Sequence, residues 1–260
     1  MCIPDKLRNS LKYLMLKIIN TCDVKELFDI RRIFYLSIVL CCTSCDNTEI
    51  SYFPLDPDLN WQYDINKETV IGKSNLREII SNQGHRKTSE GRLFVQKAIT
   101  GIESLYEVNN SGINLKLRLT AEGKPIEKNM LPGIIFNYPL TVGTQWRDSV
   151  TTSMLKSYDP RARDIREVIE LDVRVQSIND TVRLPSGKFK NCLRTIATGK
   201  TYVQKGQYAY QPDMNIDIEI TRWYAPGVGL IKETQIENTD ILQYPKASLI
   251  KTLIRFQESG

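Results

Sequence analysis

The feature that most constrains this chain is a two-residue hydrophobic period that returns again and again after residue 50. In VIELDVRVQSI, Ile169, Leu171, Val173 and Val175 alternate with Glu170, Asp172 and Arg174. Ile216, Ile218 and Ile220 alternate with Asp217, Glu219 and Thr221, and Ile113, Leu115, Leu117 and Leu119 with Asn114, Lys116 and Arg118. Side chains of a strand point to opposite faces in turn, so each segment reads as a strand with one dry and one wet face. Trp61, Tyr63 and Ile65 start the series behind Pro54 and Pro57, which exclude a regular helix. RLFVQKAI, ESLYEV, QWRDSVTTSM, NCLRTIATGKTYV, GLIKETQIE and SLIKTLIRF add six candidates, giving about ten strands. The one helical candidate is the short stretch SNLREIISN, residues 74–82.

Turn chemistry sets the pairing. Pro185-Ser186-Gly187 separates TVRL from FKNCLRTI, and Pro226-Gly227 suits a type II turn with Gly at the positive-φ position. Connections this short join antiparallel neighbours, since parallel ones need crossovers of about a dozen residues. A long antiparallel meander with one apolar face must curl on itself or pack on a second sheet. The expected fold is therefore all-β, a meander curled into a barrel or half-barrel, with a two-sheet sandwich as the alternative. No period of 20–50 residues and no low-complexity tract marks a further domain.

The N-terminus carries a different signal. Arg31 and Arg32 precede IFYLSIVLCC, an apolar run of ten residues. That is too short for a transmembrane helix of about 20 residues, and it fits the apolar core of a secretory signal. Thr43, Ser44 and Cys45 follow, then the polar DNTE. This order resembles the lipobox of bacterial lipoproteins, which implies cleavage after Ser44 and acylation of Cys45. Cys42 departs from that pattern, which prefers an aliphatic residue there. Asp46 resembles the signal that keeps some lipoproteins on the inner membrane. The expected organisation is a leader over 1–44, a polar tether over 45–50 and one β-rich domain over 51–260. The thirty residues ahead of Arg31 are long for a leader and consistent with a start codon set too far upstream. After cleavage Cys45 and Cys192 remain, so no intramolecular disulfide forms with Cys45 acylated. Multiple acyl chains give stable attachment where one does not.

Charge excludes one class of partner. Of 35 Lys and Arg and 30 Asp and Glu, residues 1–44 hold seven and four, so the remainder is nearly balanced. No clustered basic helix or zinc-finger spacing is present to track a phosphate backbone, and nucleic acid is not expected as a partner.

Catalytic and metal motifs are missing from the sequence. His85 is the only histidine, which removes paired-His metal motifs, and it lies in the polar stretch SNQGHRKTSEG, read as a loop. There is no G-x-S-x-G elbow, phosphate-binding glycine loop or H-E-x-x-H. Arg161, Arg163 and Arg166 alternate with Asp159, Asp164 and Glu167, the pattern of a solvated connection. No catalytic residue, metal or cofactor is expected. The aromatics Trp61, Tyr63, Trp146, Trp223 and Tyr224 are candidate cavity-lining residues for an apolar ligand, with core packing the plainer reading. Cys192 is read as a small buried hydrophobe.

Three segments, YFPLDPDLNWQY (52–63), LPSGKFKNCLRT (184–195) and RWYAPGVGLIKE (222–233), resemble motifs shared by a family of bacterial secreted proteins and lipoproteins of unassigned activity. The resemblance spans about residues 51–236. It implies a barrel-type envelope domain, similar in outline to the unclosed barrels of lipoprotein carriers, and brings no catalytic residues. The expectation is a lipid-anchored, non-enzymatic envelope protein at the periplasmic face or cell surface, binding an apolar ligand or a protein partner. The alternative is an envelope hydrolase using a carboxylate pair such as Asp217 with Glu219 or Glu170 with Asp172.

Overall fold

In the computed structural model, the described residues are 51–89, 91–126 and 133–258, all within one compact unit, Ile50–Gly260. Arg31, Arg32, Ser44 and Cys45 lie outside them. The alternation resolves into twelve strands: β1 (Leu59–Thr69), β2 (Gly72–Thr88), β3 (Gly91–Ala98), β4 (Glu103–Asn109), β5 (Gly112–Leu119), β6 (Ile134–Asn137), β7 (Gln145–Thr151), β8 (Val168–Leu184), β9 (Gly187–Val203), β10 (Met214–Ala225), β11 (Gly229–Thr239) and β12 (Ala247–Glu258).

The sheet runs β6-β5-β4-β3-β2-β1-β12-β11-β10-β9-β8-β7, with every pair antiparallel. The first and last strands pair in the middle of the sheet, and the two edges, β6 and β7, come together to make a nearly closed barrel with one unsealed seam. Side chains bridge the seam where the ladder does not. Trp146 Nε1 donates to the carbonyl of Ile134 at 2.9 Å, and Asn137 Nδ2 to that of Gln145 at 3.4 Å.

The inner face follows the sequence period. Ile169, Leu171, Val173 and Val175 of β8 are buried, as are Ile216, Ile218 and Ile220 of β10, while Glu170, Asp172 and Glu219 are exposed. Each buried aliphatic contributes about 1.5–3 kcal/mol over an exposed one, and a one-residue slip would turn all of them outward. The Pro226-Gly227 turn forms as its sequence requires: Val228 N–H donates to Ala225 O at 3.1 Å, with Gly227 at φ 70°.

Two strands escape the pattern. Residues 74–82 form part of β2, and the expected helix is absent. A nine-residue helix has little stability alone, whereas β1 offers an unbroken partner from Asn60↔Ser81 to Thr69↔Gly72. The strand continues through His85 to Thr88 across an irregularity between Asn82 and His85, so His85 stands on a strand, exposed, its ring edge-on to Phe94. The other is β6, whose four residues are too few to show alternation.

Candidate ligand-binding cavity

A cavity of about 770 Å³ lies against the inner face of the sheet, within the ordinary size range of small-molecule sites. The segment ahead of β1 borders it at one end. Phe53 packs edge-on against Phe94 and Tyr106, with centroids 6.2 and 5.1 Å away. Asn82, almost fully buried, donates through Nδ2 to the carbonyls of Pro54 at 3.1 Å and Asp56 at 2.8 Å. Gly229 has φ 86°, and a Cβ there would stand 3.2 Å from Pro54 Cδ. Glycine is thus needed for both the turn and the close approach.

The connection from β7 to β8 packs on the opposite end of the strands. Glu237 of β11, with no exposed surface, accepts from the amides of Ser153 at 3.1 Å and Met154 at 2.9 Å, and from Gln235 Nε2 at 2.9 Å. Lys67 Nζ of β1 donates to Ser153 O at 3.0 Å. Leu155 and Ile165 fill the core beneath.

One wall of the cavity is charged. Arg222, Glu233 and Lys251 lie opposite one another on β10, β11 and β12, and each falls on the inward register of its strand. Arg222 Nε meets Glu233 Oε2 at 2.5 Å, and the two side chains keep only 23% and 16% exposure. Lys251 crosses β1 to pair with Glu78 of β2, its ammonium 4.4 Å from the centre of the Tyr63 ring. The row therefore alternates in sign across five strands, the arrangement that favours opposite-charge neighbours. Burial alone would depress the Arg222 guanidinium, but the Glu233 carboxylate, Tyr224 and Asp148 together raise it. Burial likewise works to raise Glu233, and Arg222 with Lys251 more than reverse it, so Glu233 lies below the usual carboxylate range. Burial pushes the phenols of Tyr63 and Tyr224 up.

Asp148 of β7, at the seam, is the exception. Its Oδ1 is buried without a hydrogen-bond partner and lies 3.3 Å from where a Cβ on Gly133 would stand. Burial raises this carboxyl. The amides of Ser149 and Ile134, and beyond them Arg222 and Arg118, pull the other way without reversing the shift. The amides lie near without closing a hydrogen bond of good geometry.

Of the aromatic residues singled out in the sequence, Trp61, Tyr63 and Tyr224 line the cavity. Trp61 Nε1 donates to Val228 O at 2.6 Å and Tyr63 Oη to Leu230 O at 2.8 Å, which locks both rings. Trp146 does not line it: the indole packs into the core beside the seam. Trp223 does not either. It follows inward-facing Arg222 on the strand and so projects from the opposite face, where Nε1 donates to Asp180 Oδ2 at 3.2 Å and Lys232 Nζ stands 5.1 Å from the ring centre. Asp217 pairs with Lys200 on the outer face at 2.8 Å, and Glu170 and Asp172 are exposed beside Arg147. Cys192 is fully buried, and burial raises its thiol. Arg161 pairs with Asp159 and Lys156 with Asp164, as alternating charges on a surface connection do. Among the described residues, no three His, Cys, Asp or Glu are grouped to hold a metal ion.

Sequence reasoning missed the charged wall of Glu78, Asp148, Arg222, Glu233 and Lys251, and it put Lys116 and Arg118 on a wet face although both line the cavity, because a bulge opposite Leu105 and Tyr106 changes the face of β5 partway along. The signal was present in the period. Arg222 continues the inward register of Ile216, Ile218 and Ile220, so a charge falls where an aliphatic residue is due.

No protein-family model matches the chain, and no curated protein matches it significantly. Two solved structures are similar to it in part. One is a candidate exported protein with a YmcC-like fold from Bacteroides fragilis, 11% identical, covering 79% of this chain and 98% of that one with a TM-score of 0.35. The other is a candidate lipoprotein from Parabacteroides distasonis, 12% identical with the same coverages and TM-score. Likeness of this degree assigns neither a family nor an activity.

Proposed function

We propose that this chain is a lipid-anchored bacterial envelope protein that acts by binding, and that its barrel holds a small amphiphilic ligand. The observation that carries the reading is the two-sided cavity. Trp61, Tyr63, Tyr106, Tyr224 and Ile80 supply apolar surface, while Arg222, Glu233, Lys251 and Glu78 supply a charged strip in the same space. A wholly apolar ligand would take water from that strip and offer it no polar contact in return, so the apolar ligand expected from the aromatic residues is refined to one with a polar end. Mostly apolar walls with a few convergent polar groups are the usual composition of such sites. The cations and carboxylates of the strip engage one another, which suits a fixed wall better than a free general base.

Anchoring rests on the sequence: Arg31-Arg32, the apolar run, and Ser44-Cys45. It implies an envelope location, with the membrane as a partner through acylated Cys45. A Cys45→Ala chain, which cannot be acylated, is purified without detergent and weighed by native mass spectrometry before and after organic extraction. The reading predicts an added small-molecule mass that extraction removes. A clean protein mass in both samples, with no uptake of added amphiphile, overturns it.

A further inference from the structure

We infer that the end of the barrel remote from Ser51 is a docking surface for a different protein, one that presents an apolar patch with mixed charge around it. The inference rests on the reading of Cys45 as the membrane anchor and adds a second partner, on the side away from that membrane. Ser51 is the first described residue, and its carbonyl accepts from Gly227 N–H of the β10–β11 turn at 2.8 Å. The opposite end carries the connections β1–β2, β3–β4, β7–β8, β9–β10 and β11–β12. Exposed apolar side chains gather there: Ile71, Ile99, Ile102, Tyr158, Tyr210 and Leu242. Of the large apolar residues exposed among the described ones, only Tyr138, Val142 and Ile178 lie toward the Ser51 end.

Three of the gathered residues come from three connections that bond to one another. Tyr158 N–H donates to Gln243 O at 3.3 Å, and Gln243 Nε2 donates to Tyr210 O at 2.9 Å, which brings Tyr158, Tyr210 and Leu242 together. They keep 70%, 64% and 92% exposure. The Arg161 guanidinium stands 5.0 Å from the Tyr210 ring centre, and Tyr210 holds φ 59°, a backbone state rarely given to a bulky side chain. Apolar residues scattered singly over a surface need no explanation, but a set gathered at one end marks an interaction site. Tyrosine and arginine are enriched among the residues that carry protein–protein binding.

Geometry and charge select the occupant. Residues 45–50 span at most about 20 Å, whereas β10 and β11, of 12 and 11 residues, set the two ends about 30 Å apart at the usual tilt of barrel strands. A chain anchored through Cys45 therefore cannot lay the far end on its own membrane. A two-fold contact through that end would point the two Ser51 ends in opposite directions, so copies on one membrane do not pair there. The connections over 152–167, 204–213 and 240–246 hold six Lys and Arg against five Asp and Glu, a balance that offers no field for a polyanion. What remains is a protein that meets the anchored barrel from the aqueous side.

The test places the photo-crosslinking residue p-benzoylphenylalanine at Leu242 of the full-length chain, expressed in the bacterium that encodes it, with Val142 as the control position. Irradiation should give one discrete protein adduct from position 242 and not from 142. Tyr158→Ser with Tyr210→Asn, asparagine being tolerant of positive φ, should cut its yield about tenfold. The crosslinked protein, identified by mass spectrometry and purified, should bind the Cys45→Ala chain about tenfold more tightly than the same chain with both tyrosine changes. No adduct at 242, an adduct shared with 142, an adduct of two copies of this chain, or a yield that survives the tyrosine changes overturns the inference. So does flotation of the Cys45→Ala chain with phosphatidylethanolamine–phosphatidylglycerol vesicles that is lost on Leu242→Ser, since that assigns the surface to a membrane. Fractionation of the wild type tests the anchor separately: a soluble chain removes that premise, while the crosslinks still decide the docking.

Discussion

Glu237→Gln tests how the connection over residues 152–167 is held. In the wild type the fully buried carboxylate accepts from two backbone amides, Ser153 at 3.1 Å and Met154 at 2.9 Å, and from Gln235 Nε2. Hydrogen bonds to a charged acceptor contribute about 1.5–3 kcal/mol each. Glutamine keeps the shape and one neutral acceptor but turns an NH2 toward a donor, so the loss is about 2–4 kcal/mol rather than the full sum. For a domain of this size that lowers Tm by about 10 °C. Thermal unfolding by circular dichroism at pH 7 reads the change. Limited proteolysis should show earlier cleavage within residues 152–167. Glu219→Gln is the control, because Glu219 is exposed and its replacement should cost no more than about 0.5 kcal/mol. A Glu237→Gln protein that melts within about 2 °C of wild type, with unchanged cleavage, would refute the reasoning.

Breaking the Arg222–Glu233 pair with Arg222→Met should cost about 2–4 kcal/mol by urea unfolding, while the double change Arg222→Met/Glu233→Leu returns to within about 1 kcal/mol of wild type. The two shifted carboxyls of the cavity should respond to pH in opposite senses. Glu233 lies below its ordinary 4.5, so its stabilisation is present above that value and is lost as pH falls through the depressed one. Glu233→Gln should therefore be weaker than wild type at neutral pH and converge with it in acid. Asp148 lies above its ordinary 3.8, so its penalty grows as pH rises through that range, and Asp148→Asn should gain on wild type over the same interval. Urea midpoints measured from pH 3 to 7 check both signs. Gly229→Ala should cost about 1–3 kcal/mol for its backbone angle and more for the contact with Pro54. Gly206→Ala, at φ 84° with open space around it, should cost the first part alone, which thermal melts of the pair would separate.

The barrel was legible because most strands carry one wet and one dry face. β8 and β10 show a clean period of two, and their inward residues are the ones buried. Legibility failed where a strand lacks that contrast. The first half of β2 is exposed on nearly every residue, so Leu76, Ile79 and Ile80 fit a helical pattern as readily as an extended one. Their conformation is decided by pairing with β1, which is a tertiary effect. The site was legible through its aromatic residues but not through its charges. Trp61, Tyr63 and Tyr224 were found from their place on strands, while Trp223 was misread because strand position alone does not state which face a ring takes. Arg222, Glu233 and Lys251 look like surface residues to a composition-based reading. Only the register shared by β10, β11 and β12 brings them to one inner wall. Asp148 and Gly133 meet at the seam, a juxtaposition set by closure of the barrel and invisible in local sequence.

The most direct test of the central claim, that an amphiphile lodges inside the barrel, uses its three tryptophans as position markers. Trp61 lines the cavity, Trp146 packs in the core at the seam, and Trp223 stands on the other face beside Lys232. Fluorescence is titrated with a monoacylglycerol brominated on its acyl chain, in wild type and in three single Trp→Phe variants. Quenching should be saturable, survive in Trp146→Phe and Trp223→Phe, and be lost in Trp61→Phe. Quenching that persists in Trp61→Phe, or disappears only in Trp223→Phe, would place the chain outside the barrel and contradict the account.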